Sequence, residues 1–432
     1  MITAHNPYRA ALRQLRRSFI TVGLFSALIN VLMLTGPVYM LQVYDRVLSS
    51  GSVATLQGLF VIVVVLYGFQ GLYEFLRGRM LSRASYRLDQ IVSRDAFHLW
   101  VGSGRMGREI TSQPIRDLEI VRGFLASPAI LGLFDAPWVP LYLVIVFLIH
   151  PWLGWLTVGG VVIVALAALV NQMVTKKSIA VAMGMDGSER FFLEQSRRHA
   201  EVIGALGMLG KITARWQKMH VAALAQGQVG ADRSEGFSAF SKSFRLLLQS
   251  ALLTVGAFLA LRQEISPGMI VAASILAGRA LAPADQIIGQ WKAIGRSAEA
   301  HKRLKAIFDT LEPEKPRIRL PAPTGSLQVI RVTKLAPGSG PMADRAKILD
   351  RVHFELKPGD GLGVIGNSAS GKSTLARLIV GAWLPDLGEV RLDGATLDQW
   401  APEELGRHIG YLPQTLEMLP GTIKENIARF DP

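Results

Sequence analysis

Nine consecutive residues, Gly366-Asn367-Ser368-Ala369-Ser370-Gly371-Lys372-Ser373-Thr374, hold the densest chemistry in this sequence. They fit G-x-x-x-x-G-K-[ST], a loop that cradles the phosphates of a nucleoside triphosphate. The glycines let the backbone curl so that successive N–H groups point inward at phosphate oxygens. Lys372 is then expected to reach the β- and γ-phosphates, and the Ser373 hydroxyl to ligate Mg2+. The apolar run Gly361–Ile365 before the loop reads as a buried strand, and Leu375–Val380 after it reads as a helix. That order places the partial positive charge of a helix N-terminus under the phosphates. Further on, His408-Ile409-Gly410-Tyr411-Leu412-Pro413-Gln414 reads as a strand ending in a polar loop residue. Gln414 is placed to reach Mg2+ or the attacking water, so Lys372 and Gln414 are the candidate catalytic residues.

The rest of the chain must position that loop, and its composition points to a membrane. Of 432 residues, 50% are hydrophobic and only 19% are charged, against about 25% charged in an average soluble domain. The mean hydropathy of +0.30 agrees. The length allows two or three domains. A net charge of +14 could suit nucleic acid. Here it is better read as Lys and Arg crowding the cytoplasmic segments of a membrane protein, and no nucleic-acid partner is expected. The chain has no cysteine, which excludes structural disulfides, thiolate metal sites and a cysteine nucleophile. No cleavable signal peptide is read.

Four runs are long enough to cross a bilayer: Phe19–Leu41, Gln57–Leu76, Leu131–Ile149 and Trp152–Val170. Two weaker ones, Leu246–Leu261 and Met269 to about Leu281, pair across the turn Arg262–Gly268 as a hairpin. Arg9, Arg13, Arg16 and Arg17 precede the first span, and Arg77, Arg79, Arg83, Arg87 and Arg94 follow the second. Six spans with both ends on the cytoplasmic side satisfy this pattern. The internal stretches Leu81–Pro128 and Val174–Ser243 exceed ordinary loops and read as membrane helices continuing into the cytoplasm. Each has a candidate contact element at its far end, about Gln113–Phe124 in the first. In the second it is about Glu201–Trp216, where Gly204, Gly207 and Gly210 are expected to break the helix. Within the spans, Asn30, Thr35, Asp135 and Gln249 are polar. Asp135 is a functional candidate by its depth, or a structural residue at the interface beside Pro137 and Trp138. Trp138, Trp152 and Trp155 read as interfacial anchors.

Residues 1–300 are thus expected to form a six-helix transmembrane domain with long cytoplasmic extensions, 301–326 a proline-rich linker, and 327–432 the start of a nucleotide-binding domain. In the last, Leu327–Val332, Ile348–Leu356 and Val390–Gly394 read as strands.

Six spans, the phosphate loop, Tyr411–Gln414 and Gly421-Thr422-Ile423-Lys424-Glu425-Asn426-Ile427-Ala428 together resemble an ATP-binding-cassette (ABC) exporter. Leu34–Leu48, Phe134–Tyr142 and Gly278–Pro283 make the chain most similar to the PrtD-like permease/ATPases of type I secretion. The resemblance covers essentially the whole chain. It implies an all-α membrane domain of the ABC type I exporter fold followed by an incomplete α/β P-loop ATPase domain. It also implies ATP and Mg2+ as cofactors, with Gly366–Thr374 on the phosphates and Ser373 and Gln414 on the metal. The expected protein is an inner-membrane homodimer that moves unfolded polypeptides bearing C-terminal signals. Its expected partners are a membrane-fusion adaptor protein and a TolC-like outer-membrane channel. No peptidase domain is expected before Phe19. Two departures stand out. The stretch Thr333-Lys334-Leu335-Ala336-Pro337-Gly338 has no aromatic residue to stack on adenine. No Leu-Ser-Gly-Gly-Gln signature, Asp-Glu strand end or switch histidine occurs. The sequence is therefore expected to be truncated within the nucleotide-binding domain, and inactive as an ATPase by itself. Two other readings stand beside polypeptide export: a nucleotide-binding membrane protein without turnover, and an exporter of lipids or small molecules.

Overall fold

The computed structural model describes residues 6–105, 114–309, 320–336, 345–414 and 418–431. Two compact units emerge: the first spans Met1–His98 with Ser112–Leu311, and the second includes Glu312–Pro432.

The first unit is helical throughout its described residues. Helix α1 (Pro7–Leu32) opens on Asn6, whose side chain accepts from the Arg9 amide, with proline at the first turn. The expected span Phe19–Leu41 is interrupted at Met33-Leu34 and resumes as α2 (Thr35–Gln42), a π turn (Val43–Val47) and the short α3 (Leu48–Ser50). Pro37 explains the break, because it has no N–H to give the Met33 carbonyl one turn back. Helix α4 (Val53–Arg105) follows, then α5 (Pro114–Leu125), α6 (Pro128–Asp135) and α7 (Val139–Ile149). A 3-10 turn, Ala136–Trp138, separates the last two. Helix α8 (Pro151–Arg198) is capped by His150, which accepts from the Trp152 amide. The short α9 (Ala200–Ala205), α10 (Leu209–Leu261), α11 (Pro267–Gly289) and α12 (Trp291–Asp309) complete the unit.

Six of these helical stretches are long and apolar enough to cross a membrane. They contain the six expected spans. Helices α4, α8 and α10 have 53, 48 and 53 residues. At 1.5 Å per residue each is more than twice as long as a hydrocarbon core of about 30 Å. They therefore carry helical structure well beyond the membrane, as the periodicity of the internal stretches predicts. Between α9 and α10 only Gly207 breaks the chain, at φ +60°. Gly204 and Gly210 lie inside helices. The apolar window of α4 is wholly unburied, with Phe60, Val61 and Ile62 all more than half exposed, as suits a helix in hydrocarbon.

The core joins α7, α8, α10 and α11 through Tyr142, Val146, Leu153, Val164, Leu248, Leu252 and Leu276. Asp135 is not a lone buried charge. Its carboxylate accepts from the Arg77 guanidinium at 2.8 Å and from Asn30 Nδ2 at 3.0 Å. Arg77 also donates to Ser26, and the Tyr142 hydroxyl donates to Asn30 Oδ1 at 2.8 Å. This network ties α1, α4, the end of α6 and α7 together. Trp152 and Trp155 are largely exposed on α8. On the opposite side, Asp45 of the π turn accepts from the Gly268 amide at 2.8 Å and from the Ser266 hydroxyl, clasping the start of α11.

The second unit is built on an antiparallel sheet in the order β2-β1-β3-β4: β1 (Leu327–Leu335), β2 (Lys347–Leu356), β3 (Leu387–Leu392) and β4 (Ala395–Thr396). Helix α13 (Lys372–Ile379) buries Leu375 and Leu378 against Val329, Val332, Leu349 and Val390 of the sheet. Helix α14 (Pro402–His408) sets Leu405 against Trp400 and Leu392. The last described helix is α15 (Ile423–Ile427).

Three strand expectations hold and two do not. Gly361–Ile365 is extended chain without strand pairing, and Ile365 is 95% exposed. His408 ends α14, and the residues from Ile409 to Gln414 form no strand, with Leu412 77% exposed. A strand exists only through hydrogen bonds to a neighbour, and none of the four described strands runs beside either segment. At the start of the expected linker, residues 301–309 continue α12. Its proline-rich part, Leu311–Pro316, lies outside the described residues, as do Gln113 and Pro337-Gly338.

Candidate functional site

The phosphate loop is formed around its lysine. The Lys372 ammonium donates to the Gly366 carbonyl oxygen at 2.8 Å and to that of Asn367 at 2.7 Å. The Ser370 amide donates back to the Asn367 carbonyl at 3.3 Å, closing the curl. Ala369 sits at φ +65° and Gly371 at φ +89°. Only glycine suits the second position on both counts. Its φ is left-handed, and a Cβ there would lie 2.9 Å from Leu349 Cδ2 and 3.0 Å from the Ile348 carbonyl oxygen. The loop is thereby pressed against β2 while its other side stays open, with residues 366–370 all exposed.

Helix α13 starts at Lys372 with Gly371 as its cap, so its unbonded N–H groups open on the loop. Thr374 is buried and Ser373 exposed. The Ser373 hydroxyl has no hydrogen-bond partner among the described residues. The structure therefore brings together the loop backbone, the Lys372 cation, a helix N-terminus and a free hydroxyl. This concentration of donors and positive charge fits an oligophosphate, and the oxygen of Ser373 fits a hard cation such as Mg2+.

Gln414 is exposed and makes no side-chain hydrogen bond among the described residues. Nothing described joins it to the loop. The following motif is better ordered. Thr422 and Glu425 form a capping box at the start of α15. The Thr422 amide, then its hydroxyl, hold the Glu425 carboxyl below the usual carboxylate range. Asn426 brackets residue Leu419, accepting from its amide at 2.9 Å and donating to its carbonyl at 3.0 Å.

Both candidate contact elements of the first unit are anchored by charge. In α5, Asp117 is buried and takes three hydrogen bonds from Arg303 of α12, at 2.6, 3.0 and 3.3 Å. Arg116 reaches Asp186 of α8 at 2.7 Å. Near the second element, the buried Glu189 accepts from Trp216 Nε1 at 3.0 Å and pairs with His220 Nδ1 at 2.8 Å. The sequence reading missed these pairs because their partners lie up to 186 residues apart. It also missed Asp393, which gathers the Thr324, Gly325 and Ser326 amides at the entry to β1. The only local signal is the Asp393-Gly394 turn dipeptide.

Residues 349–431 match the ABC transporter family, and residues 19–281 match the ABC transporter transmembrane region. Across 98% of its length the chain is 41% identical to the type I secretion system ATP-binding protein PrsD of Rhizobium meliloti (strain 1021), of which it covers 72%. It is 24% identical to the leukotoxin translocation ATP-binding protein LktB of Mannheimia haemolytica, over 96% of this chain and 59% of that protein. The chain thus spans less than two thirds of the LktB length. Among solved structures, a bacterial Atm1-family ABC exporter with ATP bound aligns at a TM-score of 0.74, covering 96% of this chain and 74% of that one. At 19% identity this is a likeness of fold.

Proposed function

We propose, from the premise that this chain belongs to the ABC transporter family and to its type I secretion branch, that it is the ATP-driven permease of a polypeptide exporter. The observation that carries this is the 41% identity to a type I secretion protein over 98% of the chain, through membrane and nucleotide halves alike. In this reading Gly366–Thr374 hold the triphosphate, and Lys372 turns from the loop carbonyls to its β- and γ-oxygens. Ser373 and Gln414 supply oxygen ligands to Mg2+, which neutralises charge on the transferring phosphoryl group. The spans lie in the inner membrane, with the N-terminus and the nucleotide domain in the cytoplasm. Residues 1–300, 301–326 and 327–432 serve as membrane domain, linker and nucleotide-binding domain. The α5 region and residues 201–216 relay nucleotide-driven movement to the spans. Two copies work together, with an adaptor protein and a TolC-like channel carrying the secreted polypeptide outward.

The chain is expected to bind Mg·ATP through this loop. The test is titration with a fluorescent ATP analogue in detergent. Lys372→Ala should weaken binding by roughly tenfold or more, the loss of a charge-assisted bond. Equal binding by wild type and variant would overturn the assignment of the loop.

A further inference from the structure

A hollow of about 340 Å³ lies between the start of α1 and the end of α12. Tyr8, Arg9, Leu12 and Arg13 line it from one helix, His301 and Lys305 from the other. Each helix contributes positions four apart, which lie on one face. The floor is ordered: the buried Tyr8 hydroxyl meets His301 Nδ1 at 2.6 Å. Burial, then the nearby Lys305, hold the His301 ring below the usual imidazole range. With the phenol donating to Nδ1 of a neutral ring, Nε2 carries the proton and is a further donor. Arg9 already has a partner, Asp309 at 2.7 Å. Arg13 and Lys305 are exposed and have no acidic partner among the described residues. The hollow is thus a donor-rich site with two uncompensated cations.

Its place on α1 indicates the ligand. Arg13 precedes the first apolar span by six residues, about 9 Å along a helix, which is close to headgroup depth. Seven, eleven and eighteen residues after it come Ile20, Leu24 and Val31, each more than half exposed. At 100° per residue all three fall within about 20° of Arg13. A basic hollow therefore continues into an exposed apolar stripe on the same face of one helix. We propose that this hollow binds the phosphate of an anionic phospholipid, whose acyl chains lie along Ile20, Leu24 and Val31. Such a lipid bridges α1 and the helix that leads towards the nucleotide domain. The inference rests on the reading that this end of α1 lies at the membrane surface, but it needs neither ATP turnover nor polypeptide export.

The experiment uses the whole protein, extracted from membranes and placed in nanodiscs of phosphatidylcholine with a minor share of phosphatidylglycerol. Retained phosphatidylglycerol is counted by native mass spectrometry and titrated with a short-chain form. Removing two basic side chains at about fivefold each, Arg13→Gln with Lys305→Gln should lower affinity roughly 30-fold and remove one retained lipid per subunit. Arg16→Gln with Arg17→Gln removes equal charge from α1 outside the hollow, and should retain that lipid. Inorganic phosphate, titrated calorimetrically in detergent, separates the sources. Phosphate that binds as tightly as the short-chain lipid, with the same dependence on Arg13 and Lys305, would overturn the lipid in favour of a free anion. Equal loss in both variant pairs, or no bound lipid in the wild type, would overturn the site.

Discussion

Acidic side chains find their partners differently in the two units. In the helical unit they turn to other side chains: Asp135 to Arg77 and Asn30, Asp117 to Arg303, Glu189 to Trp216 and His220. In the sheet unit several turn to the backbone instead, beside local ion pairs such as Glu389 with Arg391 and Asp350 with Lys347. Asp393 takes the amides of residues 324–326, Asp386 that of Leu335, Asp360 that of Lys357, and Glu425 that of Thr422. The cause is where free N–H groups lie. A long helix bonds its own amides and leaves none for a carboxylate except in its first turn. Asp45 follows this rule within the helical unit, since it reaches the Gly268 amide at the start of α11. Turns and strand ends offer amides freely, so a carboxylate there can be held by the backbone, with a cation added at Asp386, which lies 3.3 Å from the Lys334 ammonium. The helical unit accordingly depends on side-chain pairs that span the sequence. The sheet unit adds backbone caps, local at Asp360 and Glu425 and across 51 to 69 residues at Asp386 and Asp393.

The largest effect that sharpens this contrast is expected at Asp135. Asp135→Ala leaves the Arg77 guanidinium, 6% exposed, without its counter-charge, at a cost of about 3–5 kcal/mol. Replacing both partners, Asp135→Leu with Arg77→Met, should recover most of that loss. Thermal unfolding in detergent measures both. A single variant as stable as the double would break the comparison on its helical side. A smaller effect belongs to Asp393. Burial alone would raise its carboxyl, but the amides of Ser326 and Thr324 hold it below the usual range. A carboxyl lowered on folding contributes stability above its unfolded pKa, near 3.9. That contribution fades as pH falls through the lower folded value. The melting difference between wild type and Asp393→Asn should thus be constant near neutrality and shrink below about pH 4. A difference that grew on acidification would contradict the backbone cap.

How much was legible in the sequence follows from the same physics. The helical runs could be read locally, since a helix satisfies its backbone from within and about 20 apolar residues suffice to mark a span. Even the break at Met33-Leu34 had a local cause in Pro37. The phosphate loop was legible because its glycines and lysine are adjacent in sequence. The strands at Gly361–Ile365 and His408–Gln414 were overcalled, because apolar composition describes a strand's surroundings and not its neighbours. Among the described residues Gln414 makes no hydrogen bond to the loop it is expected to serve. The basic hollow between α1 and α12 was half visible as an arginine series, but Tyr8, His301 and Lys305 entered only with the fold.

The most direct test of the central reading is ATP turnover by the natural protein, purified from its own membranes and reconstituted in nanodiscs. Polypeptides secreted by the same cells are added unfolded, alongside lipid and small-molecule controls. Turnover that rises with the polypeptides alone and disappears in Lys372→Ala is the predicted result. Turnover stimulated only by lipids or small molecules, or retained in Lys372→Ala, would contradict it.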